Sequence, residues 1–282
     1  MGLHLPAIEF LLSEKLKGIN FSKLATLGRQ NYYLDCYEIK KVSRNTGLQI
    51  HRDDTSDSFF NYLGANELEF IDNSKYEGAS VIHDLNFPIP SQLKERYDCL
   101  IDGGALEHIF NFPMAIKNCM EMVAVGGHLI LITPWHNFSG HGFYQFSPEL
   151  FYRCLSPENG YQIETMLMNE KRKWFQITDP SLINQRVEHC GEDQILLFIT
   201  ARRINEAEIF KKWPQQSDYA TAWRAKEISK EKVLTKTAIK EKLIEVFPML
   251  ESLREIWQKY KKRRSSINWI WKTPVDLKIY KA

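Results

Sequence analysis

The chain has 282 residues, of which 44% are hydrophobic and 26% are charged. This is ordinary globular usage, so a disordered chain, a collagen-like repeat and a disulfide-stapled scaffold are excluded. No run approaches the roughly 18 apolar residues of a membrane-spanning helix, and four charges fall within the first 19 residues, so we expect neither a spanning segment nor a signal peptide.

Charge is distributed unevenly along the chain. Residues 201–282 hold 20 Lys and Arg against 10 Asp and Glu, whereas residues 1–200 hold 17 against 25. The sequence pattern changes near the same point, so we predict an acidic domain over residues 1–203 and a basic helical C-terminal extension over residues 204–282. Five scattered cysteines without a C-x-x-C spacing favour a reducing, cytoplasmic setting over a disulfide or thiolate zinc framework.

The first region alternates short apolar runs with helical stretches. Runs that are apolar throughout are typical of strands buried on both faces. Strands are predicted over residues 24–27, 68–71, 80–82, 98–101, 128–133, 161–167 and 194–201. Helices are predicted over residues 112–123 and over Pro148–Cys154, the second with Ser147 as its N-cap. This alternation predicts an α/β fold with a mostly parallel sheet covered by helices on both faces.

The second region is charged and has few strand signals. Apolar residues at helical spacing predict two amphipathic helices over residues 239–247 and 250–260, separated at Pro248.

Polar residues and glycines follow four of the predicted strands. In open α/β sheets the ligand binds beyond the carboxyl ends of the strands, so these residues form a candidate site. They are Gly28 and Arg29 after the first strand, Asp72 after the second, Asp84 and Leu85 after the third, and Asp102, Gly103 and Gly104 after the fourth.

The fourth and fifth strands carry a recognisable pattern. The segment YDCLIDGGALEH, a helical stretch and then VGGHLILITP resemble the second half of class I S-adenosylmethionine (SAM) dependent methyltransferases, which have a Rossmann-like fold. The resemblance covers residues 20–203. It implies a methyltransferase with SAM as its cofactor.

The resemblance also implies roles for the strand-end residues. Gly28 and Arg29 would lie beside the methionine portion of SAM, and Asp72 would accept hydrogen bonds from the ribose hydroxyls. Asp84 and Leu85 would lie near the adenine. The remaining three, Asp102, Gly103 and Gly104, would run along the cofactor.

The first loop departs from the family pattern. A run such as G-x-G-x-G is usual there, and this chain has TLGRQNYY, in which Gly28 is the single glycine. Asp72 lies 44 positions after Gly28, whereas a compact βαβ unit places the acidic residue about 20 positions on. Residues 36–66 are therefore expected to hold an insertion or an extra helix.

The segment TPWHNFSGHGFYQFSPELF after the fifth strand is rich in polar and aromatic residues. We interpret it as a substrate-binding loop, with an aromatic-packed structural loop as the alternative. His141 is the first candidate for a general base, His108 is the second, and Tyr144 is a hydrogen-bonding orienter. His136 and His141 are five positions apart without an adjacent carboxylate pair, so no metal site is expected.

Three functions from different classes remain open. The first is a SAM-dependent methyltransferase acting on a hydroxyl of a small polar metabolite or sugar, with surface glycan biosynthesis as one setting. The second is another nucleotide-binding Rossmann enzyme such as a dehydrogenase, which the absence of G-x-G-x-x-G disfavours. The third is a catalytically silent methyltransferase-like scaffold or binding protein.

The basic extension has two interpretations. Five cations are followed by Trp269, Ile270 and Trp271, which suits an anionic membrane surface or a lipid-linked acceptor. The alternative is that the helices pack on the acidic domain or on a second subunit of a homo-oligomer. Nucleic acid is disfavoured as a partner because the body is acidic and lacks an aromatic ladder. The five cations are Lys259, Lys261, Lys262, Arg263 and Arg264.

Overall fold

The computed structural model describes residues 2–51, 54–221 and 271–277. Within these residues the strands form two sheets, one with two strands and one with nine. The small sheet pairs β1 (Gly2–Leu3) with β3 (Asn31–Tyr32). The large sheet contains β2 (Lys23–Leu27), β4 (Glu67–Asp72), β5 (Val81–Ile82), β6 (Tyr97–Asp102), β7 (Val123–His136), β8 (Tyr161–Glu170), β9 (Lys173–Ile177), β10 (Ile195–Arg203) and β11 (Lys272–Val275).

Four of the six described helices begin at a residue whose side chain caps the helix N-terminus. Asp35 and Glu38 form a capping box at the start of α2, and the Ser147 side chain accepts a hydrogen bond from the Leu150 N–H at the start of α5. The described helices are α1 (Leu5–Leu16), α2 (Cys36–Thr46), α3 (Asp57–Leu63), α4 (Phe112–Met122), α5 (Pro148–Cys154) and α6 (Pro180–Ile183).

The large sheet is parallel at one end and antiparallel at the other. Its strand order is β11-β9-β8-β10-β7-β6-β2-β4-β5, and the strands from β7 to β5 run parallel to one another. When these five strands are numbered by their order in the chain and the sheet is followed from β5 to β7, their order is third, second, first, fourth, fifth. This is a Rossmann-like, doubly wound arrangement, whose order reverses between β2 and β6. The predicted fold class is confirmed.

The sheet buries a separate apolar cluster on each face. Leu100 and Leu129 pack into one cluster with residues of α4, whereas their neighbours Ile101 and Ile130 pack into the other with residues of α1 and α3. Successive side chains of a strand point to opposite faces, so this division follows from the uninterrupted apolar runs of β6 and β7. Both faces of the parallel region are therefore covered by helices.

All seven predicted strands are present among the described residues. The largest difference is at β7, which begins five residues before the predicted start because the chain around Gly126 and Gly127 also belongs to the strand. Its pairing with β6 shifts register between Tyr97 and Cys99, which accommodates this extra stretch. Residues 36–66 hold α2 and α3, which confirms the predicted extra helical material.

The C-terminal extension corrects part of the sequence prediction. The helices predicted over residues 239–247 and 250–260, and the five basic residues between positions 259 and 264, lie outside the described residues. Residues 272–275 are described, and they form strand β11 beside β9 rather than helix. Trp271 is buried, with its ring centroid 5.7 Å from that of Trp135, so its indole is not available to a membrane surface. Among the described residues, we find no helix with the length and apolarity needed to cross a bilayer.

Candidate functional site

A cavity of about 270 Å³ opens at the carboxyl ends of the parallel strands, beside the point where the strand order reverses. Five residues singled out from the sequence line it. Four of them, Gly28, Asp72, Asp84 and Leu85, are called the strand-end side below, and the fifth is His108. The other lining residues are Leu27, Ile71, Asn73, His83, Asn86, Ala105 and Ile109.

The turn at Gly28 is tied to the neighbouring strand. The Gly28 N–H donates to the Ile71 carbonyl oxygen at 2.8 Å, and the Thr26 hydroxyl donates to the Gly28 carbonyl oxygen at 2.7 Å. Gly28 has a φ of 65°, in the left-handed region that a residue with a Cβ rarely adopts. The glycine therefore sets the path of the chain beside the cavity.

Two carboxylates on the strand-end side are held by their own loops. The Asp72 Oδ1 accepts a hydrogen bond from the Ser74 N–H at 3.0 Å. The Asp84 Oδ1 accepts from the Asn86 N–H at 2.9 Å and from the Asn86 Nδ2 at 2.8 Å. Both hydrogen bonds lower the pKa of Asp84, and the one from the Asn86 backbone N–H has the larger effect. Both carboxylates are thus fixed at the cavity wall, and Asp84 is held in its charged form.

Asn118 supports this wall from α4. It is buried, and its Nδ2 donates to the carbonyl oxygens of Leu85 at 3.0 Å and Phe87 at 2.8 Å, while its Oδ1 accepts from the Ile89 N–H at 3.2 Å. Asn118 was not predicted from the sequence to belong to the site. Its signal was an amide three positions after Ala115, on the apolar face of the predicted helix.

The charge of the lining is one-sided. Among the described residues that line the cavity there are two carboxylates and neither a lysine nor an arginine. Arg29 lies next to Gly28 in the chain, but its guanidinium pairs with the Asp57 carboxylate at 2.6 Å and lies 5.1 Å from the Phe70 ring centroid. The cavity is therefore suited to hydroxyl and amine donors and to positive charge rather than to phosphate.

Asp102 and the two glycines after it lie next to the cavity without lining it. Asp102 is fully buried, its Oδ1 accepts from the Ala105 N–H at 2.7 Å, and burial raises its pKa to about 7. A Cβ at Gly103 would lie 2.7 Å from the Gln30 Oε1, so this glycine allows the buried Gln30 side chain to pack there. Gly104 has a φ of 101°, in the left-handed region.

A group of three side chains, here called the histidine cluster, adjoins the cavity through His108. It consists of Glu107, His108 and His141. The two imidazole rings meet edge to face, with centroids 4.9 Å apart, and the His141 Nε2 lies 3.6 Å from the Glu107 Oε1. The Glu107 side chain is only 2% exposed, whereas that of His141 is 54% exposed. Burial, together with the charge of Asp102, raises the pKa of Glu107 to about 8.

The loop after β7 brings His141 to this cluster. The Phe143 N–H donates to the Glu107 carbonyl oxygen at 2.7 Å. Gly142 has a φ of 73°, and a Cβ there would lie 2.7 Å from the same oxygen, so a side chain at this position would push the loop away. The close approach of the loop to Glu107 thus depends on Gly142.

Two other polar residues of this segment, Tyr144 and His136, make structural contacts with other parts of the chain. The Tyr144 hydroxyl donates to the Phe110 carbonyl oxygen at 2.7 Å, and the Tyr144 ring stacks on Phe146 with centroids 5.7 Å apart. The His136 Nε2 lies 2.9 Å from the Gly191 carbonyl oxygen, and its ring meets that of His189 rather than that of His141. The structure thus separates the two histidines whose spacing was considered for a metal site.

Larger cavities lie away from the strand ends. One of about 360 Å³ is lined by Glu149, Arg153, Arg186 and residues 214–218. One of about 410 Å³ is lined by Glu95, Arg203 and residues 206–209, and one of about 510 Å³ by residues of α1, β8 and β9 together with residues 275–277. None of these three is lined by a described residue from the turns that follow β2, β4 or β6. The smaller cavity is the better candidate because it lies where the topology of the sheet opens a crevice.

No protein-family model matches the chain, and no curated protein matches it in sequence. Among solved structures, a 1,6-didemethyltoxoflavin-N1-methyltransferase of Burkholderia thailandensis has a TM-score of 0.40 at 12% identity, over 71% of this chain and 78% of that one. TehB from Haemophilus influenzae has a TM-score of 0.38 at 14% identity, over 68% of this chain and 61% of that one. A branched-chain polyamine synthase from Thermus thermophilus has a TM-score of 0.36 at 11% identity, over 74% of this chain and 60% of that one.

This chain therefore spans less than two thirds of the length of the second and third of these proteins. At such identities and TM-scores, the similarities decide nothing about ligand or reaction.

Proposed function

We propose that the chain is a SAM-dependent methyltransferase whose cofactor binds in the cavity at the strand ends. The observation that carries the proposal is the strand-end side itself, where a left-handed glycine turn and two fixed carboxylates line a cavity to which the described part of the chain contributes neither lysine nor arginine. The ribose of SAM offers two hydroxyl donors to Asp72, and the adenine amine offers a donor to Asp84. The sulfonium is a cation, which a lining with two carboxylates favours over an anion.

The same features argue against a dinucleotide. A pyrophosphate is usually held by the N–H groups at a helix N-terminus that directly follows the first strand. After Gly28 this chain forms β3 instead, and the N–H groups of Tyr37 and Glu38 at the start of α2 already donate to the Asp35 carboxylate. Within the described residues, the first strand of the large sheet is therefore not followed directly by the helix N-terminus that a dehydrogenase uses for its phosphates.

The histidine cluster supports a role in binding the methyl acceptor. In the proposed reaction, a lone pair of an acceptor oxygen forms the new bond to the methyl carbon, and the carbon–sulfur bond breaks with its electron pair remaining on sulfur. The hydroxyl proton must leave, and an imidazole accepts protons near neutral pH. His108 lines the cavity, and the ring of His141 contacts the ring of His108, so the acceptor would approach from this side.

We further propose that the acceptor is a hydroxyl of a small polar metabolite or sugar. The loop around His141 is rich in polar and aromatic side chains, which is typical of a surface that binds a sugar ring. Its internal ring contacts also fit the alternative of an aromatic-packed loop, for example the 5.8 Å between the centroids of Phe110 and Phe143.

Calorimetric titration with SAM, S-adenosylhomocysteine (SAH) and NAD tests the proposal. We expect SAM and SAH to bind with one site per chain and NAD to give no heat. SAH binding without methyl transfer to any member of a panel of hydroxylated metabolites would support the silent scaffold. Binding of NAD alone would contradict the methyltransferase proposal.

A further inference from the structure

We propose that the histidine cluster binds a divalent transition-metal ion at the edge of the cavity. Glu107, His108 and His141 each offer one ligand atom, and these three atoms all lie within 4.8 Å of one another. The ion would be held by one carboxylate oxygen and two imidazole nitrogens. Ion binding itself does not depend on the proposed methyl transfer, and only the role of the ion in the reaction rests on that proposal.

The buried carboxylate of Glu107 is the strongest indication. Its side chain is 2% exposed, and its Oε2 has no hydrogen-bond partner among the described residues. Its Oε1 lies 3.6 Å from the His141 Nε2, too far for a normal hydrogen bond. A buried carboxylate oxygen without a hydrogen-bond partner is costly in free energy, and a bound cation would offset that cost.

The two imidazoles can adjust to an ion, whereas the carboxylate is fixed. At metal–nitrogen distances of about 2.1 Å, tetrahedral ligand atoms lie about 3.4 Å apart, so the cluster has to contract by roughly 1 Å. His108 and His141 are both exposed, so their rings can turn without disturbing the core. Glu107 is held from two sides, since its carbonyl oxygen accepts the Phe143 N–H and its side chain is enclosed.

The ligand set selects the kind of ion. Two imidazoles and one carboxylate are typical of catalytic zinc sites and of other first-row divalent ions, whereas magnesium and calcium prefer oxygen ligands. Three protein ligands also leave at least one coordination position open. An ion at this place would therefore be able to take an oxygen of a second molecule.

Such an ion would change how the acceptor is activated. His108 lines the cavity, so the open position would lie beside the place proposed for the acceptor. A hydroxyl bound to a divalent cation loses its proton at lower pH than a free one, which prepares the oxygen for methyl transfer. His108 and His141 would then act as ligands rather than as free bases. This favours acceptors with a hydroxyl that can coordinate a metal, ideally beside a second oxygen.

Titration of the metal-stripped full-length protein with Zn²⁺ tests the inference. We expect one ion per chain by calorimetry and by elemental analysis. When Co²⁺ replaces Zn²⁺, we expect a visible absorption band typical of Co²⁺ in a site of low symmetry. His108→Ala and His141→Ala should each weaken Zn²⁺ binding by about 10²-fold or more, since each removes one of three ligands. Both side chains are exposed, so these variants should fold normally. Glu107→Gln is a third variant, and its circular dichroism must be checked because the side chain is buried.

His136→Ala is the matched control. His136 belongs to the same loop region, but its Nε2 lies beside the Gly191 carbonyl oxygen and not beside the cluster. Zn²⁺ affinity should be unchanged in this variant. The inference is overturned if the natural chain binds no ion, or if His108→Ala and His141→Ala bind Zn²⁺ as tightly as His136→Ala does.

An SAH titration of the same samples separates the two proposals. SAH binding with no Zn²⁺ binding would contradict the proposed metal site and leave the methyltransferase proposal intact. Zn²⁺ binding that depends on His108 and His141, with no SAH binding, would support the metal site and contradict the methyltransferase proposal.

Discussion

The strand-end side and the histidine cluster are built in different ways. On the strand-end side, each residue follows a parallel strand, and the two carboxylates are fixed by their own loops, as Asp72 is by Ser74 and Asp84 by Asn86. In the histidine cluster, Glu107 follows β6 whereas His141 comes from the loop beyond β7, and they meet only because that loop folds back. The first is a property of the sheet topology, and the second is a property of tertiary packing.

The largest expected effect is on the strand-end side, from Gly28→Val. A β-branched residue does not adopt a φ of 65°, and the turn is hydrogen-bonded to β4, so the cavity wall must move. We expect SAH affinity to fall by more than about 10²-fold, because displacement of a binding wall by about 1 Å has effects of this size. Calorimetry measures it.

Gly18→Val is the control for backbone strain alone. Gly18 also has a positive φ, of 88°, but it lies at the end of α1 with open space around it. Both variants should lose some stability. If SAH affinity falls equally in the two, the turn at Gly28 has no special place in the cofactor site.

His141→Ala tests whether the histidine cluster works independently of the strand-end side. Turnover should fall by about 10²-fold or more, since a group that promotes proton loss from the acceptor is removed. SAH affinity should stay within about twofold, because His141 does not line the cavity. Steady-state kinetics on an acceptor found by screening, with His136→Ala beside it, checks this. A fully active His141→Ala enzyme would transfer the role to His108.

Asp72→Ala should give a smaller effect, confined to the strand-end side. Removing the carboxylate leaves the ribose hydroxyls without their acceptor, which costs about 1–3 kcal/mol of SAM binding free energy. The fold should survive because the Asp72 side chain is partly exposed. Glu208→Gln, at a side chain that is 71% exposed and does not line the strand-end cavity, provides the comparison. Equal SAM affinity in the two variants would exclude Asp72 from the site.

Asn118→Ala should have the smallest effect on binding and act through stability. The buried amide makes three hydrogen bonds to the backbone of residues 85–89, and their loss should lower the free energy of unfolding by about 1–2 kcal/mol. Urea denaturation measures this. Asn66→Ala removes an exposed hydrogen bond to Ser22 and should cost much less. Equal midpoints for the two variants would mean that Asn118 does not support the cavity wall.

The sequence predicts the sheet well because buried parallel strands are continuous apolar runs. The helix α1 was not predicted, since eight of its twelve residues are buried and the apolar positions lack a clear helical period. Strand β11 was missed for another reason. It has four residues and pairs with β9, a strand distant in sequence, so its structure depends on tertiary contacts.

Within the site, the strand-end side could be predicted and the histidine cluster only in part. Gly28, Asp72, Asp84 and Leu85 follow strands, so topology alone brings them together. His108 and His141 were chosen for their chemistry, but their contact and the burial of Glu107 depend on the loop that Gly142 allows to approach. Nothing in the spacing of residues 107 and 141 indicates that fold-back.

Hydrogen–deuterium exchange of the full chain with and without SAH tests the central claim most directly. We expect slower exchange in the segments at the ends of β2, β4 and β5, which include Gly28, Asp72 and Asp84, and no change around the larger cavity lined by Arg153 and Arg186. Protection at that larger cavity, or unchanged exchange at all three strand ends under saturating SAH, would contradict a SAM site at the carboxyl ends of the parallel strands.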